Sequence, residues 1–357
     1  MIFYLYSPSH FERWDYRNPM GAGIGGSETA HIEVAERLAK RGHKVISYTP
    51  LPNDIKRGEK YNGVLWYDLK DAKFYKDGIW IIYRSPKTFD KFSKDHPGQK
   101  VWLVMQDTVY PDLTEERALK CNVYFALCTT HVNVTKNDHP EIADRVGLSQ
   151  NGIRTQVIRN LEPEVRDPHR MMYASSPDRG LMNLLKMFPE IKAKEPKASL
   201  HVFYGFDNIE KVVDPNSPID ELGSTVNDFK RKLKQEGVYW HGRTGQMELY
   251  KEWLKTGVWA YPTRFSETSC ITSMEAQALG AMPVTNPFWA LKDNIMSGTL
   301  IDGDPSFNGL TRGRYIDEIV YWMNNATDGI RERMITQAQA RFDWDKVVEQ
   351  YERFAKL

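Results

Sequence analysis

Short apolar runs that alternate with amphipathic helical stretches limit the fold of this chain more than any other feature. The first half has such runs at 2–6, 44–48, 78–83, 100–105 and 123–127, with helical spacing at 27–41. The second half has them at 171–174, 200–204, 238–240, 258–261 and 282–284, with helical spacing at 181–194. Apolar runs of this length predict strands buried on both faces. Their alternation with helices predicts mainly parallel sheets covered by helices.

The two series meet near residue 165, within a polar stretch at 161–170 that contains proline. A chain of 357 residues exceeds one ordinary hydrophobic core, so its length predicts two domains. We therefore predict an α/β protein with domains at 1–165 and 166–340. The final segment, 341–357, is expected to contain an amphipathic helix at 344–357, with Asp343 as its cap.

The overall composition disfavours several classes of protein without excluding nucleic acid as a partner. Lys and Arg total 48 against 47 Asp and Glu, so the net charge of +1 gives no bulk reason to expect nucleic acid as a partner. Three cysteines cannot all pair and lack C-x-x-C spacing, which fits a reducing cytosol. No stretch reaches the roughly 18 apolar residues of a membrane span, so we expect a cytoplasmic protein with peripheral membrane contact at most. The N-terminal run is typical of a first strand rather than a signal peptide.

A glycine-rich loop at 21–26 satisfies the dinucleotide pattern G-x-G-x-x-G. About a dozen residues separate it from the first strand, although a dinucleotide turn must be tight. The second strand also ends in Ser47, Tyr48 and Thr49, with no acid to hold a ribose, so a dehydrogenase is disfavoured. Two interpretations stay open. The helix that opens at Gly25 and Gly26 could offer its amides to a diphosphate, or Ser27 could merely cap it.

Two acidic residues, Glu267 and Glu275, follow the strand at 258–261. We expect a helix to start near Ser269, with Thr268 or Ser269 as its cap, and to end at Gly280. Glu267 then lies at the carboxyl edge of the sheet, and Glu275 lies on the helix. A carboxylate can accept two sugar hydroxyls, and free helix amides suit phosphate. On spacing alone, the alternative is a pair of solvated acids with Glu267 complementing the helix dipole.

Several motifs occur in one order along the chain, and together they resemble glycosyltransferase family 4, a family of retaining GT-B glycosyltransferases. The motifs are Gly25-Gly26-Ser27-Glu28, Asn151-Gly152-Ile153, Trp240-His241-Gly242, Tyr261-Pro262-Thr263 with Glu267, Glu275-Ala276, Gly280 and Pro283-Val284, and finally Phe342-Asp343-Trp344-Asp345. The resemblance implies two Rossmann-like domains facing each other across a cleft. It also implies a C-terminal helix that crosses back to the N-terminal domain.

The resemblance further implies metal-independent transfer of a sugar from a UDP- or GDP-linked donor to a hydroxyl acceptor, without a cofactor. The first domain would serve the acceptor and the second the donor. The implied catalytic residues are Glu267, Arg179 and Asp107. The implied donor-binding residues are Gly25, Gly26, Ser176, Arg179, Arg243, Glu267, Thr268, Ser269, Cys270 and Glu275.

Two departures from the family pattern concern the cations and the histidine of the site. The family commonly has two cations early in the second domain. Here Ser176 stands near the first position, and Arg179 can stand for the second, with a fork that suits phosphate. The family also often has His-Asp after a strand of the first domain, where this chain has Gln106-Asp107. Asp107 would orient the donor sugar or the acceptor.

The acceptor is the least constrained part of the interpretation. Trp14 and Tyr16 precede the glycine loop and could stack on a sugar ring or a base on the acceptor side, although packing within the loop is the ordinary alternative. A glycan, a lipid-linked glycan, a protein and a modified nucleic acid all stay open. A sugar-nucleotide epimerase and a non-catalytic nucleotide-sugar or glycan-binding protein are the competing functions.

Overall fold

The computed structural model describes residues 1–8, 12–21, 23–74, 76–92 and 99–356, apart from the side chain of Asn208. The chain divides into two compact units. Unit 1 comprises Met1–Pro19, Ile24–Gly152 and Asp343–Leu357. Unit 2 comprises Met20–Gly23 and Ile153–Phe342.

Unit 1 is built on an eight-stranded sheet in the order β3-β4-β2-β1-β5-β6-β7-β8. Within the described part of this sheet, only β3 and β4 pair in antiparallel fashion. The strand order reverses between β1 and β5, so the loops after these two strands diverge at the carboxyl edge of the sheet. The strands are β1 (Ile2–Tyr6), β2 (Lys44–Thr49), β3 (Glu59–Tyr61), β4 (Val64–Asp68), β5 (Gly78–Tyr83), β6 (Gln99–Val104), β7 (Val123–Ala126) and β8 (Val146–Leu148).

Unit 2 contains a six-stranded parallel sheet in the order β11-β10-β9-β12-β13-β14. This is the strand order of the doubly wound nucleotide-binding fold, with its reversal between β9 and β12. The strands are β9 (Asp167–Tyr173), β10 (Ser199–Val202), β11 (Val238–Trp240), β12 (Thr256–Tyr261), β13 (Met282–Thr285) and β14 (Thr299–Leu300).

Helices link the strands of both units. Amphipathic α1 covers the sheet of unit 1, and α5 covers that of unit 2 with most of its apolar face buried. The helices are α1 (Gly26–Lys40), α2 (Glu115–Ala118), α3 (Thr129–Asp138), α4 (Thr155–Arg159), α5 (Leu181–Lys194), α6 (Asp207–Glu210), α7 (Val226–Lys232), α8 (Gln246–Leu254), α9 (Ile271–Ala278), α10 (Ala290–Asn294), α11 (Gly309–Asn325), α12 (Asp328–Arg341) and α13 (Trp344–Lys356).

The last helix, α13, belongs to unit 1 although it follows the whole of unit 2. Its apolar stripe buries Trp344, Val348 and Tyr351. The ring of Tyr351 stacks on Phe125 of β7 with centroids 4.6 Å apart. On the polar side, Glu352 accepts hydrogen bonds from Arg41 and His43, each at 2.8 Å. The predicted cap is present, since the Asp343 carboxylate accepts from the Asp345 amide at 2.8 Å.

Each apolar run predicted as a strand forms one, with ends that differ by a few residues. The hairpin of β3 and β4 was not predicted. Its signal is the pair Asn62-Gly63, whose φ angles of 46° and 84° are those of a tight hairpin turn. The predicted cap of α9 is wrong. The helix begins at Ile271, and its N-cap is Cys270, which makes no capping hydrogen bond with its side chain.

Candidate functional site

The reversal of strand order in unit 2 places the loops after β9 and β12 side by side. Arg179 lies on the loop after β9, and Glu267 lies on the loop after β12. Ligands of open α/β sheets bind at this carboxyl edge, where neighbouring loops diverge. The topology therefore brings together Arg179 and Glu267, for which the resemblance implies separate roles.

Glu267 is almost fully buried and is held by two donors. Arg179 Nη1 lies 3.2 Å from Glu267 Oε1 and 3.3 Å from Oε2. The phenol of Tyr261, the last residue of β12, donates to Oε1 at 2.6 Å. A carboxylate so buried requires partners of this kind, because an unpaired buried charge is costly. The site thus contains one carboxylate fixed from two directions.

Arg179 remains about one-third exposed while it pairs with Glu267. Its guanidinium lies over the ring of Phe265, 4.1 Å from the centroid, which fixes its plane. Burial lowers the pKa of Arg179, but Glu267, Tyr261 and Asp178 raise it by more, so the net shift is upward. Arg179 is therefore a permanent cation with exposed surface at the sheet edge.

Gly180 brings the loop of Arg179 against the loop of Glu267. Its φ of +106° is in the region that favours glycine, and a Cβ there would lie 2.5 Å from the carbonyl oxygen of Pro262. Asn183 adds a hydrogen bond of 3.1 Å to the same carbonyl. Any side chain at 180 would push these loops apart, so this glycine is a requirement of the site.

Glu275 lies on α9 and is buried. It accepts a hydrogen bond from the side-chain amide of Gln246. Burial raises the pKa of Glu275 to about 7, although Gln246, Arg154 and Tyr250 act in the opposite direction. A carboxyl that titrates near neutrality at the sheet edge is a candidate ligand-binding group.

The amino end of α9 lies between the two glutamates in the sequence. Cys270 adopts φ +51° and ψ +68°, a left-handed conformation that is uncommon for a residue with a side chain. The Ser269 carbonyl accepts a 2.5 Å hydrogen bond from Asn294 Nδ2, which fixes this turn, while Thr268 is half-buried. The turn ends in the first amides of the helix, which suit an anion.

The glycine-rich loop contributes its first residues to unit 2. Arg243 Nη2 donates to the carbonyl of Gly23 at 2.9 Å. A Cβ at Gly23 would lie 2.6 Å from the carbonyl oxygen of Thr244, and one at Gly245 would overlap the carbonyl of Gly21. These glycines therefore allow two backbone segments to touch. Arg243 as a donor-binding residue remains a prediction, as does Ser176, whose hydroxyl donates to the Asp178 carboxylate.

Gly25 and Gly26 belong to unit 1, where the loop after β1 enters α1. Gly25 is the N-cap and has no side chain to cap with, so the alternative that Ser27 caps the helix is wrong. A Cβ at Gly25 would overlap the buried carboxylate of Glu28. The glycine thus leaves room for an acid in the first turn, close to the helix amides.

Asp107 follows β6 and forms a two-pronged ion pair with Arg84, which follows β5. Arg84 Nε donates to Oδ2 at 2.8 Å and Nη2 donates to Oδ1 at 2.6 Å. Both side chains are more than one-third exposed. Arg84 has a φ of +66°, which marks a strained backbone at the strand end. Burial raises the pKa of Glu28, and the charge of Arg84 opposes that shift.

Of the two aromatic residues predicted on the acceptor side, Trp14 is corrected by its burial, whereas Tyr16 is partly exposed and stays a prediction. Trp14 has no exposed surface and packs edge-on against His31, with centroids 5.2 Å apart. Tyr16 stacks on Tyr61 at 3.9 Å, and its hydroxyl donates to Glu59 at 2.8 Å. Trp14 has no free face to stack on a sugar or a base, and one face of Tyr16 is covered.

Sequence reasoning missed three residues of the two sheet edges: Tyr261, Gln246 and Arg84. Tyr261 and Arg84 each lie at the end of an apolar run, and that position was the available signal. Gln246 had no signal, because its contact with Glu275 depends on how α8 packs beside α9. Within the described ranges, no three His, Cys, Asp or Glu residues are grouped closely enough to hold a metal ion. Nor do these ranges contain a helix both long and apolar enough to span a bilayer.

Comparison by sequence finds no matching family model and no matching curated protein. Comparison by structure finds many similar folds. A glycosyltransferase from Rickettsia africae superposes with a TM-score of 0.72 at 13% identity, over 99% of this chain and 97% of that one. Sucrose-phosphate synthase from Thermosynechococcus elongatus gives 0.69 at 14% identity, over 99% and 98%.

Two further solved structures show a match over nearly the whole of both chains and a match over only part of each. The catalytic domain of starch synthase IV from Arabidopsis thaliana, bound to ADP and acarbose, gives a TM-score of 0.67 at 11% identity, over 99% of this chain and 98% of that one. A variant of S. aureus TarM gives 0.58 at 14% identity, and there the match spans 78% of this chain but only 55% of TarM. These likenesses confirm the predicted GT-B fold.

Proposed function

We propose that this protein is a retaining glycosyltransferase that moves a sugar from a nucleoside-diphosphate donor to a hydroxyl acceptor. The observation that carries the proposal is the carboxylate of Glu267, fixed by Arg179 and Tyr261 where the strand order of unit 2 reverses. A fixed carboxylate beside a partly exposed cation can hold a polyhydroxyl group next to a phosphate.

The donor binds along the edge that carries Glu267, the start of α9 and Glu275. Glu267 accepts a hydroxyl of the transferred sugar. The first amides of α9 and the guanidinium of Arg179 face the diphosphate. Glu275, once ionised, accepts the ribose hydroxyls. The neighbours support such a donor, since the starch synthase holds ADP and the TarM complex holds UDP. We propose a UDP- or GDP-linked donor for this chain.

The transfer breaks the bond between the anomeric carbon and the leaving phosphate oxygen. The acceptor oxygen bonds to the same face of that carbon, and the acceptor proton passes to the departing phosphate. Arg179 and the helix amides stabilise the negative charge that develops on the leaving group. Glu267 favours the positive charge on the sugar. These groups supply the stabilisation from the protein itself, so we propose that no metal ion is required.

The acceptor hydroxyl approaches residues 1–165, where Asp107 orients it, and the donor is held by residues 166–340. The last residues, 341–357, complete the first of these two domains. Arg84, which is paired with Asp107 at this edge, also acts electrostatically on Glu28. Because the Arg84 guanidinium is already paired with the Asp107 carboxylate, it does not supply a cation for a phosphorylated acceptor, and an uncharged glycan hydroxyl fits best. The thiols of all three cysteines are buried, which fits a cytoplasmic protein.

The test is a panel of UDP-, GDP- and ADP-linked sugars assayed for nucleotide release, with and without neutral and phosphorylated glycoside acceptors. We expect release with one donor class, dependence on a neutral acceptor, and activity in the presence of a chelator. NMR of the product then gives the anomeric configuration, expected to match the donor. Conversion of the donor sugar without any acceptor would instead indicate an epimerase. Binding without nucleotide release from any donor would indicate a non-catalytic protein.

A further inference from the structure

Tyr261 has a phenol hydroxyl in a buried position, where a hydroxyl without a hydrogen-bond partner is destabilising. It is the last residue of β12 and has no exposed surface. Its hydroxyl donates to Glu267 Oε1 at 2.6 Å, the shorter of the contacts to that oxygen. A buried hydroxyl with a carboxylate partner forms a strong, charge-assisted hydrogen bond.

Packing around the ring prevents the Tyr261 hydroxyl from moving away from Glu267. The ring stacks on Trp259 with centroids 5.1 Å apart and lies 5.7 Å from the ring of Tyr173. The backbone is equally fixed. The carbonyl of Tyr261 accepts from Thr285 Oγ1 at 2.7 Å and from the amide of Thr263 at 3.0 Å. The hydroxyl is therefore a preorganised donor rather than one of several rotamers.

The two oxygens of Glu267 have different surroundings. Oε1 accepts from both Tyr261 and Arg179. Among the described residues, Oε2 accepts only from Arg179 Nη1, at a longer 3.3 Å. Each carboxylate oxygen can accept two hydrogen bonds. Oε2 thus has the capacity to receive a hydroxyl of a bound sugar, whereas Oε1 is occupied.

We propose that Tyr261 is a positioning residue: it fixes the Glu267 carboxylate so that Oε2 is the atom that accepts a hydroxyl of the donor sugar. The proposal rests on the proposed glycosyl transfer and refines it to a single oxygen. Burial and the neighbouring charge of Glu267 raise the pKa of Tyr261 well above its ordinary value. The phenol therefore stays protonated and donates to Glu267 over the whole working range of pH.

The test is a double-mutant cycle of Tyr261→Phe and Glu267→Gln, measured as kcat/KM for nucleotide release from the accepted donor. In the wild-type background, Tyr261→Phe is expected to lower kcat/KM by about tenfold, the size of a lost charge-assisted hydrogen bond. In the Glu267→Gln background, the same change is expected to cost less than about twofold, because the carboxylate that the phenol positions is gone. Circular dichroism confirms that each variant is folded.

A second readout separates positioning from a merely structural role. Tyr261→Phe is expected to weaken binding of the intact sugar nucleotide while leaving the inhibition constant of the free nucleoside diphosphate unchanged, because Glu267 contacts only the sugar. Tyr124→Phe is the matched control. It removes another buried phenol, which donates to the Ala118 carbonyl at 2.8 Å in unit 1. That variant is expected to lose stability without any change in donor KM.

Equal losses from Tyr261→Phe in the two backgrounds would overturn the proposal. So would a parallel weakening of the free nucleoside diphosphate, because that result indicates general distortion of the edge. A wild-type protein that releases no nucleotide from any donor would overturn the proposed function and this role together. That outcome differs from failure of the Tyr261 role alone, because nucleotide release is then absent from every variant, Tyr124→Phe included.

Discussion

At the scale of single residues, the site depends on a contact between Arg179 and Glu267, which are 88 positions apart in the chain. The sequence could place both at strand ends, since each follows an apolar run. It could not indicate which nitrogen approaches which oxygen, because those distances depend on packing around Phe265 and Tyr261. Spacing thus indicates which residues lie at the site, whereas their rotamers and hydrogen-bond partners depend on the tertiary structure.

Cys270 offers a test of backbone strain between the two glutamates. Its φ of +51° is uncommon for a residue with a Cβ and is estimated to cost about 1–3 kcal/mol. Cys270→Gly should therefore leave the free energy of unfolding within about 1 kcal/mol of wild type or above it. Cys270→Val, with a branched Cβ, should lower it by about 2 kcal/mol or more. Urea unfolding measures both.

The control for that pair is Cys128, a buried cysteine whose φ is −149°. Its backbone is already extended, so glycine relieves nothing there, and Cys128→Gly should destabilise the protein. If glycine is as harmful at 270 as at 128, strain at Cys270 is not the reason for its conformation.

At the scale of elements, α9 carries the group with the most informative titration. Burial raises the pKa of Glu275 from 4.5 to about 7. The folded state therefore favours the protonated form. Protonation of Glu275 therefore stabilises the folded state fully below the ordinary pKa of a glutamate, and this contribution is lost as pH rises through about 7. Relative to Glu275→Gln, the wild type should lose roughly 3 kcal/mol of unfolding free energy between pH 4.5 and 7.5.

The measurement is the difference in unfolding free energy between wild type and Glu275→Gln over that range of pH. Glu252 on α8 supplies a comparison of opposite sign. Burial raises the pKa of Glu252, but Lys255 and Arg170 lower it by more, so its carboxylate stabilises the fold as pH rises. Curves for Glu275→Gln and wild type that run parallel would contradict the buried, near-neutral titration of Glu275.

The sequence predicted most elements because buried parallel strands are short continuous apolar runs and α5 has a clear apolar stripe. It failed where local signals compete. The hairpin of β3 and β4 has few buried residues, so its apolar signal is weak despite Asn62-Gly63. At α9, two good capping residues precede a left-handed cysteine, and the loop geometry required by the sheet edge prevailed over capping preference.

At the scale of the whole molecule, the chain returns to unit 1 for its last helix. The sequence does not show that Glu352 of this helix contacts Arg41 and His43, because more than 300 residues separate them. Only the resemblance to known glycosyltransferases led to the expectation that α13 crosses back. The acid that ties it down has a pKa lowered to about 2, chiefly by Arg41.

Tyr351→Ala tests the contribution of α13 to unit 1. The ring is buried and stacked on Phe125, so its removal should cost about 3–5 kcal/mol of unfolding free energy. Hydrogen exchange should accelerate in α1 and β7, with α5 and α12 of unit 2 unchanged. Tyr321→Ala, at a half-exposed site on α11, should cost less than about 0.5 kcal/mol. Faster exchange confined to unit 2 would contradict the assignment of α13 to unit 1.

The role proposed for Glu267 is to hold the transferred sugar in a nucleotide-sugar site. Its most direct test is nucleotide release by Glu267→Gln beside Glu248→Gln, a control at an exposed acid of α8. We predict that Glu267→Gln lowers kcat by about 10²-fold or more while binding of the free nucleoside diphosphate is retained, and that the control matches wild type. Turnover by Glu267→Gln equal to that of the control would contradict the claim.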